Sequence, residues 1–425
     1  MSRANVSPWK SGTKVLCVLG LVGAWSACEV KDPVAFIETP RNDAGPVASS
    51  DAGPTTGEGE QPADDHTAFC ASTGPLLLVG DSLTGAKVCS GHLAERAFRY
   101  ALCSCERLAF SASLTTDAFK SSLGKYVPGG KGGAVATNGG VAANDTLTIG
   151  GGLSAGGADG ILLGRGLSVG GGLYSGGPLS GNVSAQVTGD AWVRGDVGLA
   201  SLNVAGKLAV PAERSMSGTV TAAEVLREPV ASVSPCACGD TASVVDIQGL
   251  IANHARENHN DVIDLEPSAL QGFTGERTLE LPCGRFFLTG IEGQGRLNLV
   301  VRERTALFVR DSVVIGERLS VEVVPPGELD LFVGGDMTVA GQLLLGSVDA
   351  PAKVRVYAAG TGTLGISAGS VLAGNLYAPG ATLTLSGNAE VFGSVFVRHI
   401  ESSGTLALHY DADILSLASA CGTVE

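Results

Sequence analysis

The residues of this 425-residue chain whose types and spacing suit chemistry are first of all its cysteines. Setting aside Cys17 and Cys28, which fall in an N-terminal leader, eight remain: Cys70, Cys89, Cys103, Cys105, Cys236, Cys238, Cys283 and Cys421. An even count in an exported chain reads as disulfides, and eight cysteines allow about 105 connectivities, so the pairing stays open. Cys103-Ser-Cys105 and Cys236-Ala-Cys238 also raise a thiolate metal site. Structural zinc wants two or more residues between paired cysteines, and thiols oxidise outside the cytoplasm, so disulfides are preferred and no metal is assigned.

Val79-Gly-Asp-Ser-Leu-Thr84 resembles the nucleophile block of the SGNH hydrolases, with Ser82 as nucleophile. Serine catalysis also needs an activating His, an orienting acid and oxyanion donors. No Asp-x-x-His precedes any of the six His, and that family's Gly-x-Asn-Asp block is absent, so a β-turn before a helix is the simpler reading. Glycan-active enzymes often use clustered carboxylates on a β-helix face. Here Asp145, Asp159, Asp190 and Asp196 are isolated along the chain. His409-Tyr-Asp411 is the best polar cluster near the C-terminus and reads as structural hydrogen bonding. His254 and His259 are five apart without an HExxH element, which favours a packed helix over a metal pair. Thr361-Gly-Thr363 and Thr382-Leu-Thr384, 21 apart, are read as outward strand threonines. No catalytic residue and no cofactor is assigned.

These residues need elements to hold them. Thr146-Leu-Thr-Ile-Gly-Gly-Gly-Leu-Ser-Ala-Gly-Gly157 returns as Gly166-Leu-Ser-Val-Gly-Gly-Gly-Leu-Tyr-Ser-Gly-Gly177, offset by 20 with seven of twelve positions identical. Ala185-Gln-Val-Thr-Gly189 and Leu202-Asn-Val-Ala-Gly206 lie 17 apart, and Gly374-Asn-Leu-Tyr-Ala378 and Gly393-Ser-Val-Phe-Val397 lie 19 apart. Each unit is a short alternating strand ended by Gly. One unit cannot bury its apolar side chains, but stacked coils share a continuous core. The expected fold is all-β: a β-solenoid, a right-handed parallel β-helix, with a short helical cap and one helical insertion.

The expected organisation is a signal peptide over 1–27, a lipidated acidic tether over 28–66 and a Cys-rich head with a capping helix over 67–128. A Gly-rich solenoid over 129–225, a helical insertion over 226–284 and a C-terminal solenoid over 285–425 follow. In the head, Ser90 can N-cap a helix with apolar positions Leu93, Ala94, Ala97, Phe98, Ala101 and Leu102. In the insertion, Val244, Ile247, Ile251 and His254 share a helix face. The head helix and Asp413–Ala418 are candidates to cap the solenoid ends, which otherwise expose strand edges.

The leader has Arg3, Lys10 and Lys14, no acid, and an apolar run from Val15 to Trp25 that is too short to span a membrane. Ser26-Ala27-Cys28 resembles a lipobox, with Cys28 acylated; cleavage after Ala24-Trp25-Ser26 is the alternative. The tether repeats Asp-Ala-Gly-Pro at 43 and 51 and carries nine acids against two bases. It reads as an extended spacer. The formal net charge of −14 leaves nucleic acid no footprint.

Asn375-Leu-Tyr-Ala-Pro-Gly-Ala-Thr-Leu-Thr-Leu-Ser-Gly387, with Val391-Phe-Gly-Ser-Val395 and Leu408-His-Tyr-Asp411, resembles an uncharacterised β-helical domain of exported bacterial proteins, some associated with pilus assembly. The resemblance covers roughly the last 130 residues. With its Cys-Ser-Cys head, the chain is similar to surface lipoproteins of the myxobacterial type, and more distantly its Gly-rich rungs resemble bactofilins. No catalytic residues come with these families. They imply a lipoprotein on the outer membrane or cell surface of a Gram-negative bacterium, held to the membrane by its lipid. Its expected role is structural or adhesive, with surface glycan or envelope proteins as partners. The alternative is a glycan-active enzyme, a lyase or hydrolase, on the same scaffold.

Overall fold

The computed structural model describes residues 65–71, 76–78, 87–239, 245–367 and 369–421. Cys28, the tether up to residue 64, Ser82 and Val244 lie outside them.

Strands as short as Leu147-Thr148-Ile149 alternate buried, exposed, buried, with the apolar residues turned to one axis. Three such strands separated by tight corners make one turn. Parallel pairing of each strand with its counterpart a turn away gives three faces around one core, a β-solenoid of about 13 turns. The repeats read from the sequence are the stacking registers: Leu147 pairs with Leu167, Ala185 with Leu202 and Gly374 with Gly393. The threonine register differs. Thr363 pairs with Thr382, so the offset is 19 rather than 21. Some corners require Gly: at Gly160, φ is +68° and a Cβ would overlap the Pro178 carbonyl.

The order of turns in space is not their order in the chain. The first solenoid strands of the chain, from Leu102–Ser104, lie in the middle of the stack. From there the chain climbs turn by turn to Met216–Leu226 at one end. It then starts again at the opposite end with Glu276–Leu281 and stacks back toward the middle. There Ala389–Ser402 and Leu406–Asp411 pair in parallel with Leu102–Ser104, Leu108–Phe110 and Leu114–Phe119. One turn is therefore composite: Leu406–Asp411 supplies its first face, and the start of the other half supplies its second and third. Solenoid strands begin inside the segments expected to be a separate head and a helical insertion.

Residues 227–239 and 245–275 return along the second face from one end to the other. Arg194 Nε bonds the Val230 carbonyl at 3.2 Å, Tyr174 OH the Ala231 carbonyl at 2.8 Å, and Asn138 exchanges two bonds with the Cys236 backbone. The helix Ile247–His254 (α3) continues this path over the second half. Gln248 Nε2 bonds the Gly334 carbonyl, and the His254 ring stacks on Phe308 at 4.1 Å. Ile247, Leu250, Ile251 and His254 are its buried face, as the helical spacing implies.

The helices Asp65–Ala71 (α1) and Ser90–Ala97 (α2) add to this outer layer. Phe98 packs on Tyr357 of the second face, and Tyr410 OH donates to the Phe98 carbonyl at 2.8 Å. The layer explains why second-face strands such as Glu328–Val333 are buried on both sides. Under it run two outward columns. Phe308, Phe332, Tyr357, Tyr377 and Phe396 form an aromatic ladder, with the Phe332 and Tyr357 rings stacked 4.7 Å apart and nearly parallel. Asp330, Arg355 and Asn375 form a polar column, where Arg355 grips Asp330 through two bonds of 2.5 and 3.0 Å at 1% exposure of each residue.

Two expectations for α2 change. Cys89 occupies the N-cap position and makes no side-chain cap bond, while Ala101 and Leu102 leave the helix for the coil. The helix and the 3-10 segment Ala412–Ala420 do not close the solenoid ends. They pack on each other beside the middle of the stack, linked by Cys89–Cys421. Tertiary docking on the aromatic ladder outweighed local helical spacing.

Candidate functional site

All eight expected cysteines are bridged: Cys70–Cys283, Cys89–Cys421, Cys103–Cys236 and Cys105–Cys238. None of these eight keeps a thiolate for a metal, and no group of three or more metal-ligating side chains occurs among the described residues. The two Cys-x-Cys elements are one device. Cys103 and Cys105 flank Ser104 on the first strand of the chain's solenoid, and the bridges clamp the return segment onto the composite turn. Four disulfides are those of an extracellular or periplasmic protein. No described helix is long and apolar enough to cross a membrane.

Polar chemistry gathers at that same level, where the two halves meet. On the first face, His409 Nδ1 lies 2.7 Å from Asp117 Oδ1 and its Nε2 lies 2.9 Å from Glu390 Oε1. Tyr126, on the loop 120–134, donates its hydroxyl to Asp117 Oδ2 at 2.8 Å, and the Gly129 N–H adds a bond of 2.9 Å. The Tyr126 and His409 rings are 4.2 Å apart. Burial first, then the Asp117 carboxylate, pushes the Tyr126 hydroxyl well above its ordinary value. Asp411 bonds elsewhere, accepting backbone N–H groups of Ser121, Ala352 and Asp413 at 3.1–3.2 Å. His409, Tyr410 and Asp411 thus each tie a different segment to the composite turn. Hydrogen bonding, as read from the sequence, is what they do.

On the third face the seam opens into a groove of about 650 Å³. Ala109 and Ala142, in register, have small side chains that leave its floor low, while Thr384, Asn144, His399 and Glu401 line it. His399 sits between two carboxylates, with Glu106 at 3.7 Å from Nδ1 and Glu401 at 3.6 Å from Nε2. Arg398 bonds Glu106 at 3.0 Å and the Thr382 hydroxyl at 2.9 Å, which holds this wall in place. An open trough with carboxylate, imidazole, amide and hydroxyl groups suits a ligand that is itself rich in hydroxyls. Glu106, Asn144, His399 and Glu401 were not singled out from the sequence. Each is an ordinary surface residue until two distant segments meet.

The isolated acids of the Gly-rich half do not converge. Asp190 accepts the Lys207 N–H at 2.7 Å, and Asp196 accepts both the N–H and the hydroxyl of Ser215. The backbone bond from Ser215, then the hydroxyl, holds the Asp196 carboxyl below its ordinary value. These acids cap corners. His254 and His259 are likewise separate: His259 bonds the Arg285 backbone N–H at 3.0 Å and contacts Asp65, which also meets the Arg285 guanidinium. Asp65 was expected in the tether and begins α1 instead. The Cys70–Cys283 bridge fastens that helix to the same strand region.

No curated protein and no solved structure matches this chain. Residues 239–417, which run from just beyond the double bridge, through α3 and the whole second half of the stack, to the closing 3-10 segment, match a sequence family described as a domain of unknown function (DUF7305).

Proposed function

We propose that this is an exported cell-envelope protein with a structural and binding role. Cys28 carries the lipid that anchors it in the outer membrane of a Gram-negative bacterium, the acidic segment gives reach, and the solenoid is a rigid support for the third-face groove, which takes a surface glycan. The observation that carries the reading is the groove at the seam. It is wide, open and lined by groups that exchange hydrogen bonds with hydroxyls, and it sits at the turn that two disulfides tie to the return segment. The leader, the lipobox-like Ser26-Ala27-Cys28 and the likeness to exported lipoproteins support the address.

The Glu106–His399–Glu401 arrangement favours one rival, a glycan-active enzyme on the same scaffold, because an imidazole between two carboxylates can move a proton. One experiment separates the two. The full chain, purified from the envelope in detergent, is applied to an array of bacterial surface glycans and then incubated with those retained. Binding that is lost in a His399→Ala, Glu401→Gln variant, with no fragment released by the wild type, is the expected result. Release of shortened glycan establishes the enzyme instead, and equal retention of the variant removes the groove from the proposal. Cys28→Ala leaving the membrane fraction checks the anchor.

A further inference from the structure

The two ends of the stack are built differently. At the end where Glu276–Leu281 begins, the edge is closed. Asn260 imitates a strand with its side chain, accepting from the Phe287 N–H at 2.9 Å and donating to the Phe287 carbonyl at 2.8 Å. Phe273 pairs with Gly293, and Leu265, Leu270 and Phe273 are buried at 8, 5 and 5% exposure. The remaining edge strand carries Glu276, Arg277 and Glu280, charges that discourage further pairing.

The last turn at the other end, Met216–Leu226, has none of this. Among the described residues it pairs only with the turn below, Val197–Ala209. Its core-facing side chains follow from register: Met216 stacks on Val197, Val220 on Leu202, Ala222 on Val204 and Val225 on Leu208. Each partner is buried to 1% or less, yet Met216 is 36% and Val225 43% exposed. Among the described residues the hydrophobic core ends there, beneath a full turn of unpaired backbone groups. Glu224 is the turn's charged residue, and it is held by Lys207 of the turn below at 3.0 Å.

We propose that this open end docks on the open end of a second copy of the chain, as a closed two-fold dimer. A two-fold axis across the stack, through Thr221 of the first-face segment 219–222, lays that segment antiparallel on itself and exchanges the second and third faces. Thr221 then meets Thr221 of the second copy, Val220 meets its Ala222, and the third-face end of the turn at Met216 comes over the second-face end at Leu226. On the first face core-facing residues cover core-facing residues, and Glu224, across from Gly218, faces no like charge. A turn of a solenoid ends as a ramp, and a two-fold rotation keeps the ramp's hand, so the two ramps mate along their length. Head-to-tail growth is blocked because the opposite end is already closed, so association stops at two.

The full chain in detergent is tested by sedimentation and by cross-linking of added cysteines. The wild type sediments as a dimer, and Thr221→Cys gives, on oxidation, a linked species of twice the mass, because that residue meets itself at the axis. Thr221→Lys, which sets two ammonium groups face to face, sediments as a monomer at the same concentration with an unchanged far-UV spectrum. Three outcomes would each overturn the proposal: a monomeric wild type, assemblies larger than two, or self-linkage by Thr278→Cys at the closed end in place of Thr221→Cys.

Discussion

The two halves of the stack share one plan and solve the second face in opposite ways. In the half that starts at Leu102, second-face strands are three residues long, as in Val135–Thr137 and Leu153–Ala155, and a single irregular stretch of the return segment runs over them. In the half that starts at Glu276, the matching strands run to six residues, as in Arg304–Val309 and Glu328–Val333, and helices cover them. The outward column changes accordingly, from Ala136 and Ser154 next to the clamp, followed by Tyr174 and Trp192, to the unbroken aromatic run Phe308, Phe332 and Tyr357 in the clad half. Thin turns are held together by backbone pairing and tight Gly corners, while clad turns add a second apolar layer, each large side chain contributing about 1.5–3 kcal/mol. A solenoid can therefore vary its thickness without altering its stacking register.

This contrast can be broken at three points. The largest effect is expected where the halves are clamped. Cys103→Ser with Cys105→Ser removes two bridges that each close a span of 133 residues. The pair should cost about 5 kcal/mol rather than twice that, because once one bridge is closed the second shuts only a small loop. Chemical denaturation measures the loss, and a variant as stable as the parent removes the clamp from the account. Next comes the clad half's buried charge. Arg355→Met strands Asp330 at 1% exposure and should cost about 3–5 kcal/mol, whereas Arg355→Met with Asp330→Leu should regain most of it. Glu328 tolerates the change better. Burial works to raise its carboxyl, but Arg355, Arg304 and Lys353 together hold it below its ordinary value, and two of those three remain.

The third and smallest effect concerns pH. Burial, only partly offset by the bond to the Glu257 carbonyl, pushes His254 down to about 4. The unfolded chain then binds the extra proton between about pH 6.5 and 4, so the folded state loses stability as pH falls through that window and has its full value above it. The contribution is about 3 kcal/mol. His254→Phe keeps the stack on Phe308 and should flatten the acid limb of a melting-temperature profile; an unchanged slope assigns the acid sensitivity elsewhere.

Some of this was legible in the residues. The near-20 repeat of Gly-Gly-Gly-Leu predicted which leucines stack, and Leu147 over Leu167 and Leu153 over Leu173 follow it. A helix around Ile247 and His254 followed from apolar spacing. The groove was not legible, since Glu106, His399 and Glu401 come from segments nearly 300 residues apart, and neither segment repeats the other. Ser90 misled for a related reason. Its cap chemistry is local, while the docking of Phe98 on Tyr357 that ends the helix is not.

The sequence by itself determined the turn. Alternating apolar residues, Gly corners and a period of 17 to 20 dictate a strand, a bend and the stacking of each coil on the next, because those are contacts between neighbours in the chain. Tertiary structure alone decided that the chain starts in the middle of its own stack, that the Cys-x-Cys pairs clamp the return segment, and that one end is closed and the other open. Every turn presents the same kind of edge, so periodicity cannot say which two edges meet. That choice belongs to side chains such as Ser394, His409 and Cys103, whose partners exist only once the halves have closed on each other.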